Sequence, residues 1–240
     1  MTRRLLALPL LAVALLATSP ARAASVVLWP IDPVIANGEK AAALWIENRG
    51  KAPVTLQIRS FAWSQAGGDD HYARQDEVIP SPPIANVAPG QRQLVRIIRR
   101  DAGSAPAEHC YRLLVDELPP PIDAGRADAV SAHLAVQMRY SIPLFTYDGP
   151  AAAAAPALRA RTVLVDGKPY AEIRNVGGIH ARLVDLRIVR GGRTITATAG
   201  LLGYVLGGAT MRWPLPADAP IDGALLVNVN GTDTNLAPTA

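Results

Sequence analysis

The chain has 240 residues, half of them hydrophobic, with 21 prolines, 19 glycines and one cysteine, Cys110. That composition excludes a disordered chain, and a lone cysteine excludes an intramolecular disulfide. The formal charge of +4 includes Arg3, Arg4 and Arg22, which lie in the leader read below; without them the chain is near neutral and bulk charge gives no case for nucleic acid or membrane-surface binding.

Residues 1–23 read as a secretory signal peptide. "MTRR" supplies the positive start, "LLALPLLAVALLA" the apolar run and "ARA" a small-x-small site, which predicts cleavage after Ala23. The apolar run is too short to span a bilayer, and the residues after Arg3-Arg4 fit a twin-arginine signal poorly, so ordinary export is expected. Removal of 23 residues from 240 leaves 217, enough for one large domain or two of about a hundred.

From Ser25 onward the sequence is short apolar runs separated by turn residues, with almost no helical periodicity. "SVVLW" stops at Pro30, and "AAALWIENRG" ends in an Asn-Arg-Gly turn. "APVTLQIRSFAWSQ" alternates at Val54, Leu56 and Ile58 and stops at a hairpin tip, "AGGDD". A proline-bound edge segment, "EVIPSPP", precedes a Pro89-Gly90 turn and a strand from Gln93 to Arg99. "EHCYRLLVDELPPP" is a strand stopped by three prolines.

After a polar loop comes "HLAVQMRYSIPL", His133 to Leu144. One parity (Leu134, Val136, Met138, Tyr140, Ile142, Leu144) is wholly apolar, the other mostly polar. This predicts a strand with one greasy face about 40 Å long at about 3.3 Å per residue. About seven strands over this half predict an antiparallel immunoglobulin-like sandwich, residues 24–146. "YDGPAAAAAPA" reads as a joint, 147–157. Hairpins turning at Asp166-Gly167 and Gly191-Gly192, with further strands in "MRWPLP" and "GALLVNVNG", predict a second, smaller β-sandwich, 158–240.

The combination of "IPSPPIANVAPGQRQLVRI", "YRLLVDELPPP", "VQMRYSIPLF" and the leader resembles the PapD-like periplasmic pilus chaperones, in wording similar to the archaic chaperone–usher branch. The resemblance implies an all-β boomerang of two immunoglobulin-like β-sandwich domains, working in the periplasm without a cofactor. It implies capture of pilus (fimbrial) subunits by donor-strand complementation and delivery to an outer-membrane usher. Strand addition gives affinity through main-chain bonds and register through alternate side chains. The pegs implied are Ala132, Leu134, Val136, Met138 and Tyr140, each contributing roughly 1.5–3 kcal/mol when buried. An exposed strand edge is also an aggregation hazard, which leaves self-association of the uncomplexed chaperone open.

Members of the family hold the subunit's terminal carboxylate with two basic residues, but the matching positions here are Asp32 and Ser141. The archaic likeness offers Arg112 and Arg139 instead, both expected at the cleft, with Arg112 opposite about Tyr140; arginine presents a planar fork suited to a carboxylate. Arg96 and Glu108 match a structural salt bridge of the family near the domain junction, and Asn230 stands where a third, acidic member is expected. The alternative is a secreted immunoglobulin-like structural or adhesive module that keeps the alternating strand for its own core.

Catalysis has little support. His71, His109, His133 and His180 are scattered without metal-ligand spacing. No G-x-S-x-G occurs, and the glycines after Gly191 lack a strand–turn–helix context. Cys110 and His109 are strand neighbours that face opposite ways.

Overall fold

The computed structural model describes residues 26–100, 107–119, 137–149 and 155–236. Every element is a strand. The first half contains β1 (Val26–Trp29), β2 (Val34–Ile35), β3 (Ala41–Asn48), β4 (Val54–Ala66), β5 (Asp69–Arg74), β6 (Val78–Ser81), β7 (Ile84–Val87), β8 (Arg92–Arg99), β9 (Ala107–Leu118) and β10 (Arg139–Asp148). The second contains β11 (Leu158–Val165), β12 (Lys168–Asn175), β13 (Ala181–Arg190), β14 (Arg193–Val205), β15 (Thr210–Pro214), β16 (Ala224–Val229) and β17 (Thr232–Leu236).

β1–β10 form two facing sheets, β1-β3-β8-β6 and β2-β10-β9-β4-β5, with β7 also paired to β4. β11–β17 form a second pair, β11-β12-β15 and β14-β13-β16-β17. Two immunoglobulin-like sandwiches result, as the patterning predicts. The proline-bound segment switches sheets: β6 pairs β8, and after Pro82-Pro83 β7 pairs β4.

The turns follow their chemistry. Asp166 and Gly167 both have positive φ, 49° and 74°, the two-residue geometry that matches the strands' twist. Gly67 and Gly68 do the same at the β4–β5 tip, which bridges to Met211 in the second half. Each sandwich also buries an asparagine at an N-x-G turn. Asn48 Nδ2 donates to the Ala52 and Val87 carbonyls, and Asn175 Nδ2 to those of Ile179 and Val205.

Two sequence expectations need correction, and others fall on residues that are not described. The first sandwich has ten strands among the described residues, because β2, β5 and β7 are short or polar and escape periodicity. β10 continues through Tyr147 and Asp148, which the sequence assigns to the joint; their side chains are anchored by Glu108 and by Arg99 with His109. The signal peptide and the pegs Ala132, Leu134 and Val136 lie outside the described residues.

One core fills the first sandwich with Leu44, Ile46, Ile58, Ile97, Leu113 and Leu144 among others. The core of the second, around Ile173, Leu183 and Leu186, extends across the junction to Trp63 and Phe145 of the first.

Candidate functional site

The site begins with β10. Ile142 and Leu144, on its apolar parity, are buried in the first-sandwich core, and Tyr140 packs partly against that core. Met138 is 44% exposed. The greasy face is therefore divided: its C-terminal part fills the protein's own interior, and cover is lost toward Met138. The opposite parity is buried lower down, where Phe145 packs against the second sandwich.

The backbone shows the same division. One edge of β10 pairs antiparallel with β9 from Arg139 to Asp148, and Glu117 N donates to Met138 O. The other edge meets β2, in parallel, only at Phe145 and Thr146. Among the described strands none pairs with the outer edge of Arg139–Leu144.

On β9 the side chains Tyr111, Leu113 and Val115 point into the first core, so Glu108, Cys110, Arg112 and Asp116 occupy the outer face. Glu108 is the hinge pin. His180 of the second sandwich donates to it twice, from its backbone N at 2.7 Å and from Nδ1 at 2.6 Å, and Tyr147 Oη donates at 2.8 Å. Burial alone would push this carboxyl up, but the His180 and Tyr147 hydrogen bonds outweigh it and the pKa is lowered. Gln65 of β4 completes the lock by acting as an extra strand residue: Nε2 donates to Tyr204 O at 3.0 Å and Oε1 accepts from Leu206 N at 2.9 Å. A cleft of about 500 Å³ lies beside this lock, lined by Trp63, Gln65, Glu77, Glu108, Cys110 and Leu206 among others.

Arg112 sits where the two sandwiches meet. Its guanidinium carbon lies 3.8 Å over the Trp63 ring and 5.5 Å from that of Tyr204, and its side chain is only 12% exposed. Asp70 Oδ2 is 4.0 Å away, too long for a hydrogen bond. Nε of Arg112 is buried with no hydrogen-bond partner among the described residues. Aromatic walls thus hold a cation whose donors are incompletely used.

Arg139 differs. It pairs closely with Asp116, which also takes Arg59 at 2.6 Å, and it is largely exposed. These partners lower the Asp116 pKa against the effect of its burial. The β9–β10 register sets Arg112 opposite Pro143, not near Tyr140 as the sequence suggests, and Arg139 opposite Asp116. The two arginines are four residues apart along the strand, about 13 Å at 3.3 Å per residue, so they do not converge.

The expected Arg96–Glu108 salt bridge is absent among the described residues. Arg96 lies on the outer face of β8, opposite Ala43 and Ser81, while Glu108 lies on the outer face of the other sheet, with the core between them. The buried ion pair is Arg99–Asp148, Nη1 to Oδ1 2.8 Å, joined by His109 at 2.8 Å. Arg99 shares the inward parity of Val95 and Ile97, a signal present in "VRIIR". Asn230 occupies the β16–β17 turn and accepts from Arg182 N. Asp32 and Ser141 are exposed. No cluster of metal-ligating side chains occurs among the described residues. Cys110 Sγ points to Glu108, and burial plus that carboxylate push its pKa up, away from reactive thiolate character.

These features define a two-domain immunoglobulin-like protein with a half-open final strand in its first domain and a confined cation where its domains meet. Residues 27–148 match the family model for the PapD N-terminal domain, pili and flagellar-assembly chaperone. The chain belongs to this family of pilus-assembly chaperones. A chain from the CsuC–CsuE chaperone–tip adhesion subunit pre-assembly complex of the archaic chaperone–usher Csu pili of Acinetobacter baumannii is 31% identical. It aligns with a TM-score of 0.69 over 88% of this chain and 96% of that one. The E. coli chaperone DraB shares the fold at 17% identity and TM-score 0.60, covering 90% and 97%. A chain from the Salmonella enterica SafA pilin–SafB chaperone complex does so at 16% and 0.58, covering 89% and 93%. No curated protein sequence matches the chain.

Proposed function

We propose that this chaperone, exported to the periplasm and cleaved after Ala23, captures a pilus subunit by lending it the strand that leads into β10, and then yields the subunit to an outer-membrane usher. Ala132, Leu134, Val136, Met138 and Tyr140 are the pegs. The domain division at about 146–158 leaves the lent strand at the end of the first domain. The observation that carries the reading is the divided β10: Leu144 is sealed in the chaperone's own core, Met138 is exposed, and the strand edge beside Arg139–Leu144 has no described partner. A strand built this way is stable at one end and available at the other, which suits reversible strand addition.

Arg112 is the carboxylate anchor favoured over Arg139. Its guanidinium is confined, its Nε is unpartnered and its nearest acid, Asp70, stands 4.0 Å away without a hydrogen bond to it, whereas Asp116 pairs directly with Arg139. Co-expression with a pilin-like subunit from neighbouring genes tests the assignment. A stable one-to-one complex is expected, lost on Leu134→Asp or Val136→Asp; no complex, or one indifferent to both changes, rejects strand donation.

A further inference from the structure

Asp70 is tied down with unusual care for a residue near a hairpin tip. Its Oδ1 accepts from Trp63 Nε1 at 2.8 Å and Gln65 Nε2 at 2.9 Å, and Oδ2 accepts from Tyr72 Oη at 3.2 Å. Two of these donors belong to the domain junction: Trp63 walls Arg112, and Gln65 bonds the second-domain strand. The network aims Oδ2 at the Arg112 guanidinium and stops 4.0 Å short. Had the site evolved only to neutralise Arg112, a close fork-to-carboxylate pair would do it, as Asp116 does for Arg59 at 2.6 Å.

We infer that Asp70 is the resident counter-ion of Arg112 and sets how tightly a partner's terminal carboxylate is held there, an inference that rests on Arg112 being the anchor. A confined cation needs compensating charge while no partner carboxylate is bound, since an unpaired buried charge is costly. A fixed carboxylate at 4.0 Å supplies it without occupying Nε. When a second carboxylate arrives, it meets both the cation and the like charge of Asp70. The like charge weakens retention and eases release. A chaperone that must hand over its cargo gains from an anchor whose grip is limited in this way.

The test uses the full mature chaperone and the peptide acetyl-Ala-Ala-Tyr, as free acid and as C-terminal amide, titrated while following the arginine Nε–H resonances. Asp70→Asn keeps the Oδ1 acceptor for Trp63 and Gln65 and removes the charge, at the cost of the Oδ2 acceptor that Tyr72 Oη uses. It should bind the free acid about three- to tenfold tighter than wild type, with the amide unaffected. Equal or weaker binding of the free acid by the variant overturns the inference, because Asp70 would then merely orient Arg112. A thermal melt reports whether Asn perturbs the junction, and Asp70→Ser repeats the measurement with a second uncharged side chain. If wild type binds acid and amide alike, and Arg112→Ala changes neither, the anchor assignment itself fails; discrimination in wild type that Asp70→Asn does not improve rejects Asp70 alone.

Discussion

The His180 imidazole lies flat on the Phe145 ring, centroids 3.5 Å apart and planes within 2°, while its Nδ1 donates to Glu108. One second-domain side chain thereby grips both β9 and β10, and the orientation of the domains becomes dependent on a buried carboxylate. Because the folded-state pKa of Glu108 is lowered, its contribution is fully present above the ordinary carboxylate value and is lost as pH falls through the folded value. The stability difference between wild type and Glu108→Gln should therefore be largest near neutrality, about 1–3 kcal/mol, and shrink in acid. Urea titrations at stepped pH check this; a difference that grows in acid contradicts the lock.

Strand donation predicts opposite responses from two residues on one face. Leu144→Ala should destabilise the chaperone by about 2–5 kcal/mol, because it opens a cavity in the first core. Met138→Asp should leave its stability within about 0.5 kcal/mol, since the side chain is exposed, and yet abolish the subunit complex. Denaturation and co-purification on the same two variants separate the roles.

Parity predicts the core-facing side of β10 at Tyr140, Ile142 and Leu144, and Asp166-Gly167 and Gly191-Gly192 lie at their turns because two-residue hairpins demand such residues. Parity does not say where along the face the protein's own core ends; that depends on how far β2 and β9 extend beside β10. The domain lock was illegible for a simpler reason. Gln65 and Leu206 are 141 positions apart, and no local pattern marks a glutamine that will pair with a distant strand. β5, exposed throughout, and polar β17 are edge strands without an alternation to detect.

The two arginines should part company in capture experiments. Arg112→Ala removes the confined guanidinium at the domain junction and should weaken subunit binding by about 1.5–3 kcal/mol, roughly ten- to a hundredfold. Arg139→Ala leaves Asp116 with Arg59 and should change capture less than threefold, the range expected of an exposed pair. Surface plasmon resonance with a refolded subunit measures both. Equal losses would show that the exposed arginine also reaches the cargo.

The lower end of β10 is fixed by charge as well as by packing. Arg99 and Asp148 are both nearly sealed from solvent, with Nη2 donating to Oδ2 at 3.0 Å and His109 on the same oxygen. The Arg99 partner lowers the Asp148 pKa, so this pair too holds at neutral pH and weakens in strong acid. Removing only the cation strands a buried carboxylate: Arg99→Met should cost about 3–5 kcal/mol. Removing both charges, as in Arg99→Met with Asp148→Leu, should cost less than the single change, because a buried ion pair gives little net stability over apolar packing. If the pair exists to fix the strand, the double variant will fold and yet capture subunits poorly. If it serves stability alone, capture will follow the melting temperature. Binding measured well below each variant's transition distinguishes the two.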